Sequence, residues 1–268
     1  MTHRAAVLGH PVSHSLSPPM HRAAYEALGL DWGYDAIDVT ADGLPAFVAG
    51  LGPEWAGLSL TMPLKRAVLP LLEGASPLAT ALGVVNTVTF SPSRGLLGDN
   101  TDVHGLVEAL RAVDISSVVS GHVLGGGATA ASAVAALAEL GCTAPVVHVR
   151  SPLRAGVVEA AAARLGVTVE VLTLDDRSWS EADVVISTLP AGAADALVGS
   201  VGSGLLLDVA YDPWPSPLAS AWTAAGGRVV DGFEMLLHQA AAQVVLMTGR
   251  PAPVEAMRTA GLAARPHP

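Results

Sequence analysis

Residues 115–138 carry no Asp, Glu, Lys or Arg. A run this long without charge is either a membrane span or a set of elements buried inside a protein. Its polar residues decide between the two. Ser116, Ser117, Ser120, His122 and Thr129 punctuate it, and Gly125-Gly126-Gly127 divides it. A strand over 117–124, a glycine turn, and an Ala-rich helix over 128–140 closed by Gly141 account for the whole stretch.

The turn fits G-x-G-x-x-A at Gly125, Gly127 and Ala130. The first glycine permits the tight turn, the second lets backbone approach a pyrophosphate, and the small third residue lets helix and strand pack closely. Free N–H groups and a partial positive charge at the helix start then face the anion. Gly125, Gly126, Gly127, Ala128 and Thr129 are the candidate cradle. A plain glycine turn is the competing reading, and the strand–turn–helix setting favours a dinucleotide.

The next strand, over 145–149, ends in Val149-Arg150-Ser151. An NAD site usually carries Asp or Glu there, to bond the ribose 2′-hydroxyl. Arg150 instead suits a 2′-phosphate, Ser151 can donate a hydroxyl, and Arg154 can add charge one turn later. The arginine and the missing acid point to NADP. A solvated arginine at a strand end is the alternative.

Short apolar strands and helical stretches alternate along most of the chain. Strands are expected over 5–9, 34–39, 56–61, 85–90, 167–172, 184–187, 205–209 and 229–230. Helices are expected over 18–28, from Pro63, over 152–165, 233–248 and 254–262. Residues 263–268 have no core pattern and read as a frayed tail. Such alternation implies α/β architecture, with mostly parallel sheets covered on both faces. At 268 residues the chain is long enough for two domains. The boundary is expected near Asp102, where a polar turn over 98–102 precedes a new helix. With 51% hydrophobic and 14% charged residues the chain is too apolar for disorder. Its net charge of −10 repels phosphate backbones, which argues against nucleic acid. One cysteine, Cys142, allows no internal disulfide, and the first apolar stretch is too short for a signal-peptide core. A cytoplasmic protein is expected.

A second set of residues has no place in the dinucleotide motif. Ser15 and Ser17 face one side of an extended segment and can hold a carboxylate, although Ser17 before Pro18 also reads as a helix cap. Thr61 lies at a strand end. Lys65, the only lysine in the chain, lies just beyond, on the first turn of the helix expected from Pro63. Cations are disfavoured there, which marks Lys65 as functional unless it is simply a surface residue. Asn86 can donate and accept toward a polyol, or form a turn. Asp102 can cap the following helix, or pair with Lys65 and bind a hydroxyl. His10, His14 and His21 match no zinc spacing, so no metal is expected.

Six segments occur in the order characteristic of one family: Gly9-x-Pro11-x-x-His14-Ser15-x-Ser17-Pro18-x-x-His21, Thr61-x-Pro63-x-Lys65, Asn86-Thr87-Val88, Gly98-x-Asn100-Thr101-Asp102-x-x-Gly105, Asp208-x-x-Tyr211-x-Pro213-x-x-Ser216-Pro217-Leu218, and Gly232-x-x-Met235-Leu236-x-x-Gln239-Ala240. Together they resemble the shikimate dehydrogenases. The chain departs from the family pattern at Ser59-Leu60, Val149, Ser151, Ser187-Thr188-Leu189 and Thr129-Ala130.

The resemblance implies an N-terminal α/β substrate domain with a mostly parallel sheet, over 1–102, joined by C-terminal helices over 238–268. It implies a doubly wound Rossmann domain over 103–237. Ser15 and Ser17 would bind the substrate carboxylate. Thr61, Lys65, Asn86, Asp102 and Gln239 would bind the ring hydroxyls, with Lys65 and Asp102 as the catalytic pair. Tyr211 and Gly232 would line the site near substrate and nicotinamide, and Thr188 and Leu189 would border NADP beside Arg150 and Ser151. The implied reaction is NADPH-dependent reduction of 3-dehydroshikimate to shikimate, and a homodimer is compatible with it. The rivals are an NAD-dependent quinate/shikimate dehydrogenase and a non-catalytic dinucleotide sensor. Ser17 and Arg150 weigh against the first, Lys65 and Asp102 against the second.

Overall fold

The structure, a computed structural model, describes residues 2–91 and 95–266. It divides into two compact units: residues up to Thr101 together with Leu237–Arg265, and Asp102–Leu236.

The first unit is built on β1 (His3–Gly9), β2 (Trp32–Asp38), β3 (Trp55–Leu60), β4 (Gly74–Ala75), β5 (Thr87–Ser91) and β6 (Gly95–Asp99). Their order in the sheet is β2-β1-β3-β5-β6-β4. β1 pairs parallel with β2 and β3, and β5 runs antiparallel to both β3 and β6. Every strand except β5 therefore ends at the same edge. Leu8, Leu58, Leu64, Val85 and Val88 fill one core cluster, and Tyr25 and Tyr34 anchor another. Helices α1 (Ser17–Ala27), α2 (Leu44–Ala49), α3 (Leu64–Ala67) and α4 (Pro77–Leu82) precede the second unit.

The second unit carries α5 (Asp102–Arg111), β7 (Gly121–Leu124), α6 (Ala128–Glu139), β8 (Val146–Val149), α7 (Gly156–Leu165), β9 (Glu170–Thr173), β10 (Val184–Ser187), β11 (Leu205–Asp208), α8 (Pro217–Ala224) and β12 (Arg228–Asp231). Its six strands are all parallel, in the order β12-β11-β10-β7-β8-β9. This is the doubly wound dinucleotide order, and its direction reverses between β7 and β10. Helix α9 (Gly232–Thr248) begins in this unit and continues into the first, followed by α10 (Val254–Ala264).

Several expectations need correction. The strand expected over 117–124 starts only at Gly121. Both neighbours, β8 and β10, are four residues long, and Val118 N–H bonds Leu140 O at the end of α6 instead of a strand. The helix expected over 152–165 is a 3-10 turn, Pro152–Arg154, then α7. The turn is what lays the Arg154 carbonyl against Gly126, where an added Cβ would meet it at 2.6 Å. The expected polar turn over 98–102 is half strand, since Gly98 and Asp99 pair with Val88 and Thr87. The expected tail begins later, because α10 runs to Ala264; residues 267–268 lie outside the described residues.

Helices α4 and α8 escaped the periodicity reading because they span only six and eight residues. Their Ser-Pro starts were legible: Ser76 and Ser216 each accept a capping N–H, from Ala79 at 3.2 Å and Ala219 at 3.0 Å. Ser17-Pro18 looks identical in sequence but differs in space. Leu16 occupies the cap position without a side-chain bond, and Ser17 is already helical.

Candidate active site

In the first unit, the residues assigned to substrate gather at the edge where β1, β3 and β6 end and β5 begins. Ligands in open α/β sheets bind beyond the carboxyl ends of strands. Thr61 follows β3, and its N–H bonds Leu8 O at 2.9 Å. Gly9 permits this approach, since a Cβ there would lie 2.3 Å from Thr61 Cγ2. Asn86 precedes β5; it accepts Leu60 N–H at 2.7 Å and donates its own N–H to Asp99 O at 3.0 Å.

Lys65 lies in α3, which is a single turn. A four-residue helix has no separate N-terminal end, so Lys65 opposes no helix dipole, contrary to expectation. Its location is what matters: Lys65 O accepts Val85 N–H at 2.8 Å, one residue before Asn86. Asp102 opens α5 as its first residue and is buried.

The Asn86 side chain is held on all sides. Oδ1 accepts Thr101 N–H at 2.8 Å and the Thr87 hydroxyl at 2.8 Å. Nδ2 donates to Thr101 Oγ1 at 2.9 Å and to Gln239 Oε1 at 3.3 Å. The long bond to Gln239 is the one that a substrate hydroxyl can most easily replace.

Ser15 Oγ accepts Ser17 N–H at 3.2 Å, so Ser15 orders the start of the helix that contains Ser17. Ser17 O accepts His21 Nδ1–H at 3.0 Å, and the His21 ring stacks on Tyr34 at 4.0 Å. Burial lowers the His21 pKa to about 4, so the ring is neutral at pH 7. His14 is exposed and makes no hydrogen bond among the described residues. His10 pairs with Asp38 at 2.6 Å. Among the described residues no group of His, Cys, Asp and Glu is placed to hold a metal ion.

In the second unit, the glycine turn stands where the strand order reverses. Gly125 has φ +122°, open to glycine alone, and Thr188 Oγ1 occupies the space where a Cβ would sit. Thr188 is itself pinned to the end of β7, donating its N–H and hydroxyl to Leu124 O at 2.8 and 3.0 Å. Leu189 packs against the neighbouring core. Gly127 caps α6 with no side-chain bond, and a Cβ added to it would meet nothing within 4 Å. Open space at an uncapped helix start suits a pyrophosphate.

Arg150, at the end of β8, is exposed, and no hydrogen bond or ion pair engages its guanidinium among the described residues. Ser151 lies half-buried beside it. These residues fit NADP. A Cβ on Gly232 would strike the Val209 backbone, so the chain passes close there. Tyr211 follows β11, and burial raises its pKa above the usual tyrosine value.

The sequence reading overlooked Gln243, gave no role to Tyr34, Thr87 and Thr101, and noted Ser59 only as a departure. All five are buried and linked to Asn86. One signal was available: Gln243 lies four residues after Gln239, on the same helical face.

A family model described as the shikimate dehydrogenase substrate binding domain matches residues 7–88, and one for the shikimate 5′-dehydrogenase C-terminal domain matches residues 232–260. A shikimate dehydrogenase (NADP(+)) of Citrifermentans bemidjiense is 40% identical over 97% of this chain and 94% of its own. The crystal structure of Mycobacterium tuberculosis shikimate dehydrogenase superimposes with a TM-score of 0.89 at 43% identity, covering 97% of this chain and 99% of the other. That of the Thermus thermophilus shikimate 5-dehydrogenase, in complex with NADP(H) and shikimate, gives 0.86 at 34% identity, covering 98% and 99%. Among the described residues no helix is long and apolar enough to cross a membrane.

Proposed function

The chain belongs to the shikimate dehydrogenase family, and from that premise we infer that it catalyses the reversible NADPH-dependent reduction of 3-dehydroshikimate to shikimate, a step of chorismate and aromatic amino-acid biosynthesis. The observation that carries this reading is the gathering of Thr61, Lys65, Asn86 and Gln239 around one sheet edge, in a chain that also has an open, uncapped glycine turn. A reaction between two soluble small molecules fits the cytoplasm.

NADPH, when bound, supplies the hydride. Family membership, together with the chemistry of each side chain, suggests the remaining work. Reduction turns the substrate carbonyl oxygen into an alkoxide, which needs a proton. Lys65 stabilises the charge and gives that oxygen its proton; in the reverse direction it takes the proton from the hydroxyl. Asp102 orients Lys65 and holds the adjacent hydroxyl. Ser15 and Ser17 donate to the carboxylate, while Thr61, Asn86 and Gln239 fix the ring hydroxyls and so the presented face of the carbonyl. Tyr211 borders the substrate. Gly125, Gly126, Gly127, Ala128 and Thr129 offer backbone to the pyrophosphate, and Arg150 and Ser151 bond the 2′-phosphate. Thr188, Leu189 and Gly232 shape the rest of the cofactor site.

The test is absorbance at the nicotinamide band with four mixtures, shikimate or quinate with NADP or NAD. Reduction with shikimate and NADP is expected. Turnover chiefly with quinate or with NAD would overturn the assignment of Ser17 or Arg150.

A further inference from the structure

Gln243 is 1% exposed and stands one helical turn beyond Gln239 on α9. It belongs to a chain of hydrogen bonds running through the core of the first unit. The chain starts at Tyr34, which is fully buried. Burial raises its phenol above the usual value, so the group stays protonated. Tyr34 donates to Ser59 Oγ at 2.6 Å. Ser59, having accepted, donates to Gln243 Oε1 at 2.7 Å.

An amide that receives on its oxygen must present its nitrogen elsewhere. Gln243 Nε2 donates to Thr87 Oγ1 at 3.0 Å and to Asn86 O at 3.3 Å. The Thr87 hydroxyl then donates to Asn86 Oδ1, beside the Thr101 N–H. With Oδ1 receiving two donors, Asn86 Nδ2 turns to Thr101 Oγ1 and Gln239 Oε1. From Tyr34 to Asn86 Oδ1 every bond in the series points the same way, and the Thr101 hydroxyl can take either direction, accepting from Nδ2 at 2.9 Å or donating to Oδ1 at 3.3 Å. Flipping the Asn86 amide would set its NH₂ against the Thr101 N–H and take from the Thr87 hydroxyl the acceptor to which it donates.

We propose that Gln243 is a positioning residue: with Tyr34 and Ser59 it fixes which end of the Asn86 carboxamide faces the substrate hydroxyls. The proposal rests on the reading that Asn86 binds substrate. Gln243 itself contacts the site only through Asn86 and Thr87, so it acts on orientation, not on the reacting atoms. A chain of this kind that merely filled the core would affect stability and the fraction of active enzyme, leaving KM unmoved.

The experiment measures KM and kcat for shikimate and for NADP in Gln243→Leu, Asn86→Ala and the double variant. Gln243→Leu should raise the shikimate KM by about tenfold with the NADP KM unchanged, the scale of one misdirected buried hydrogen bond. In the Asn86→Ala background the same substitution should change KM by less than about twofold, because nothing is left to orient. An unchanged shikimate KM in folded Gln243→Leu overturns the proposal, as does an effect of full size in the double variant. Asn86→Ala with a normal shikimate KM would overturn the substrate-site reading itself. Should Gln243→Leu fail to fold, Ser59→Ala takes its place, since it removes the donor to Gln243 Oε1, whereas Tyr34 also bonds the Ser17 side chain. A KM rise of about threefold that vanishes with Asn86→Ala is expected there, and no change overturns the proposal.

Discussion

Ser216 donates its hydroxyl proton to Asp208 Oδ2 across 2.6 Å and accepts the Ala219 N–H at 3.0 Å. One side chain thus gives the shortest bond to a carboxylate that is 1% exposed, beside weaker ones from Ala210 N–H and the Ser187 side chain, and also starts helix α8. Burial raises the Asp208 pKa, so this carboxylate depends on its donors, and the Ala210 N–H reaches it only at 3.3 Å. Ser216→Ala should cost about 2–4 kcal/mol: roughly 1 for the cap and 1–3 for the weakened carboxylate. Ser216→Thr should restore most of it. Urea midpoints at constant m give the answer, and a loss below about 1 kcal/mol would contradict the dual role.

Neighbouring glycines in the turn separate packing from binding. A Cβ on Gly126 would lie 2.6 Å from Arg154 O and 2.8 Å from Val149 Cγ1, whereas one on Gly127 meets open space. Gly126→Ala should therefore lower stability by about 1–3 kcal/mol. Gly127→Ala should change it by less than about 1 kcal/mol while weakening NADP binding at least about tenfold. Thermal melts with and without NADP distinguish the two, and equal affinity in Gly127→Ala would remove the pyrophosphate from this turn.

Arg150 governs the choice of cofactor if it meets the 2′-phosphate. Arg150→Ala should raise the NADP KM by roughly ten- to hundredfold, the worth of a charge-assisted bond, and leave the NAD KM within about twofold. Parallel losses with both cofactors would show that Arg150 serves the fold.

Lys65→Ala should lower kcat by about 10²–10⁴ with a much smaller change in the shikimate dissociation constant, because the proton and charge are needed in the transition state. Single-turnover rates and equilibrium binding measure the two separately. A variant impaired only in binding would return Lys65 to the role of a hydroxyl ligand.

Acid should destabilise the protein through buried histidines. Burial holds His21 at about 4, and burial with the neighbouring His122 holds His148 at about 4. The unfolded chain takes up these protons from about pH 6.5 downward, and the folded chain does not. Stability present above pH 6.5 is thus lost as pH falls toward 4, by about 3 kcal/mol for His21 alone. His21→Phe keeps a ring against Tyr34 and should flatten the profile by about one proton over that range. An unaltered slope would show that His21 titrates normally.

The dinucleotide half was readable because parallel strands buried on both faces are continuous apolar runs, and Gly125, Gly141 and Gly166 mark their turns. The substrate half was harder. β5 and β6 form an antiparallel hairpin whose second strand, Gly95–Asp99, carries two glycines and reads as a loop. Gly98 is there because a Cβ would strike Leu72 at 2.6 Å and Val85 at 2.9 Å, a contact that no local pattern encodes. Lys65 stands out in the sequence by a dipole conflict that needs a longer helix than α3; its place beside Asn86 comes from the backbone bond to Val85.

By itself the sequence determined the alternation of strands and helices, the Gly125–Gly127 turn, the arginine that follows the next strand, and a single lysine among the candidate ligands. These are local properties, set by side-chain period, glycine geometry and charge. Only the tertiary structure decided which polar groups meet. Ser59 and Gln243 are 184 residues apart in the chain, and Asn86 and Gln239 are 153 apart. The direction of each buried amide follows from its neighbours' donors, because an unpaired polar group in the core costs more than the bond that satisfies it. That condition is met only after the sheet edge and α9 have packed together within the first unit.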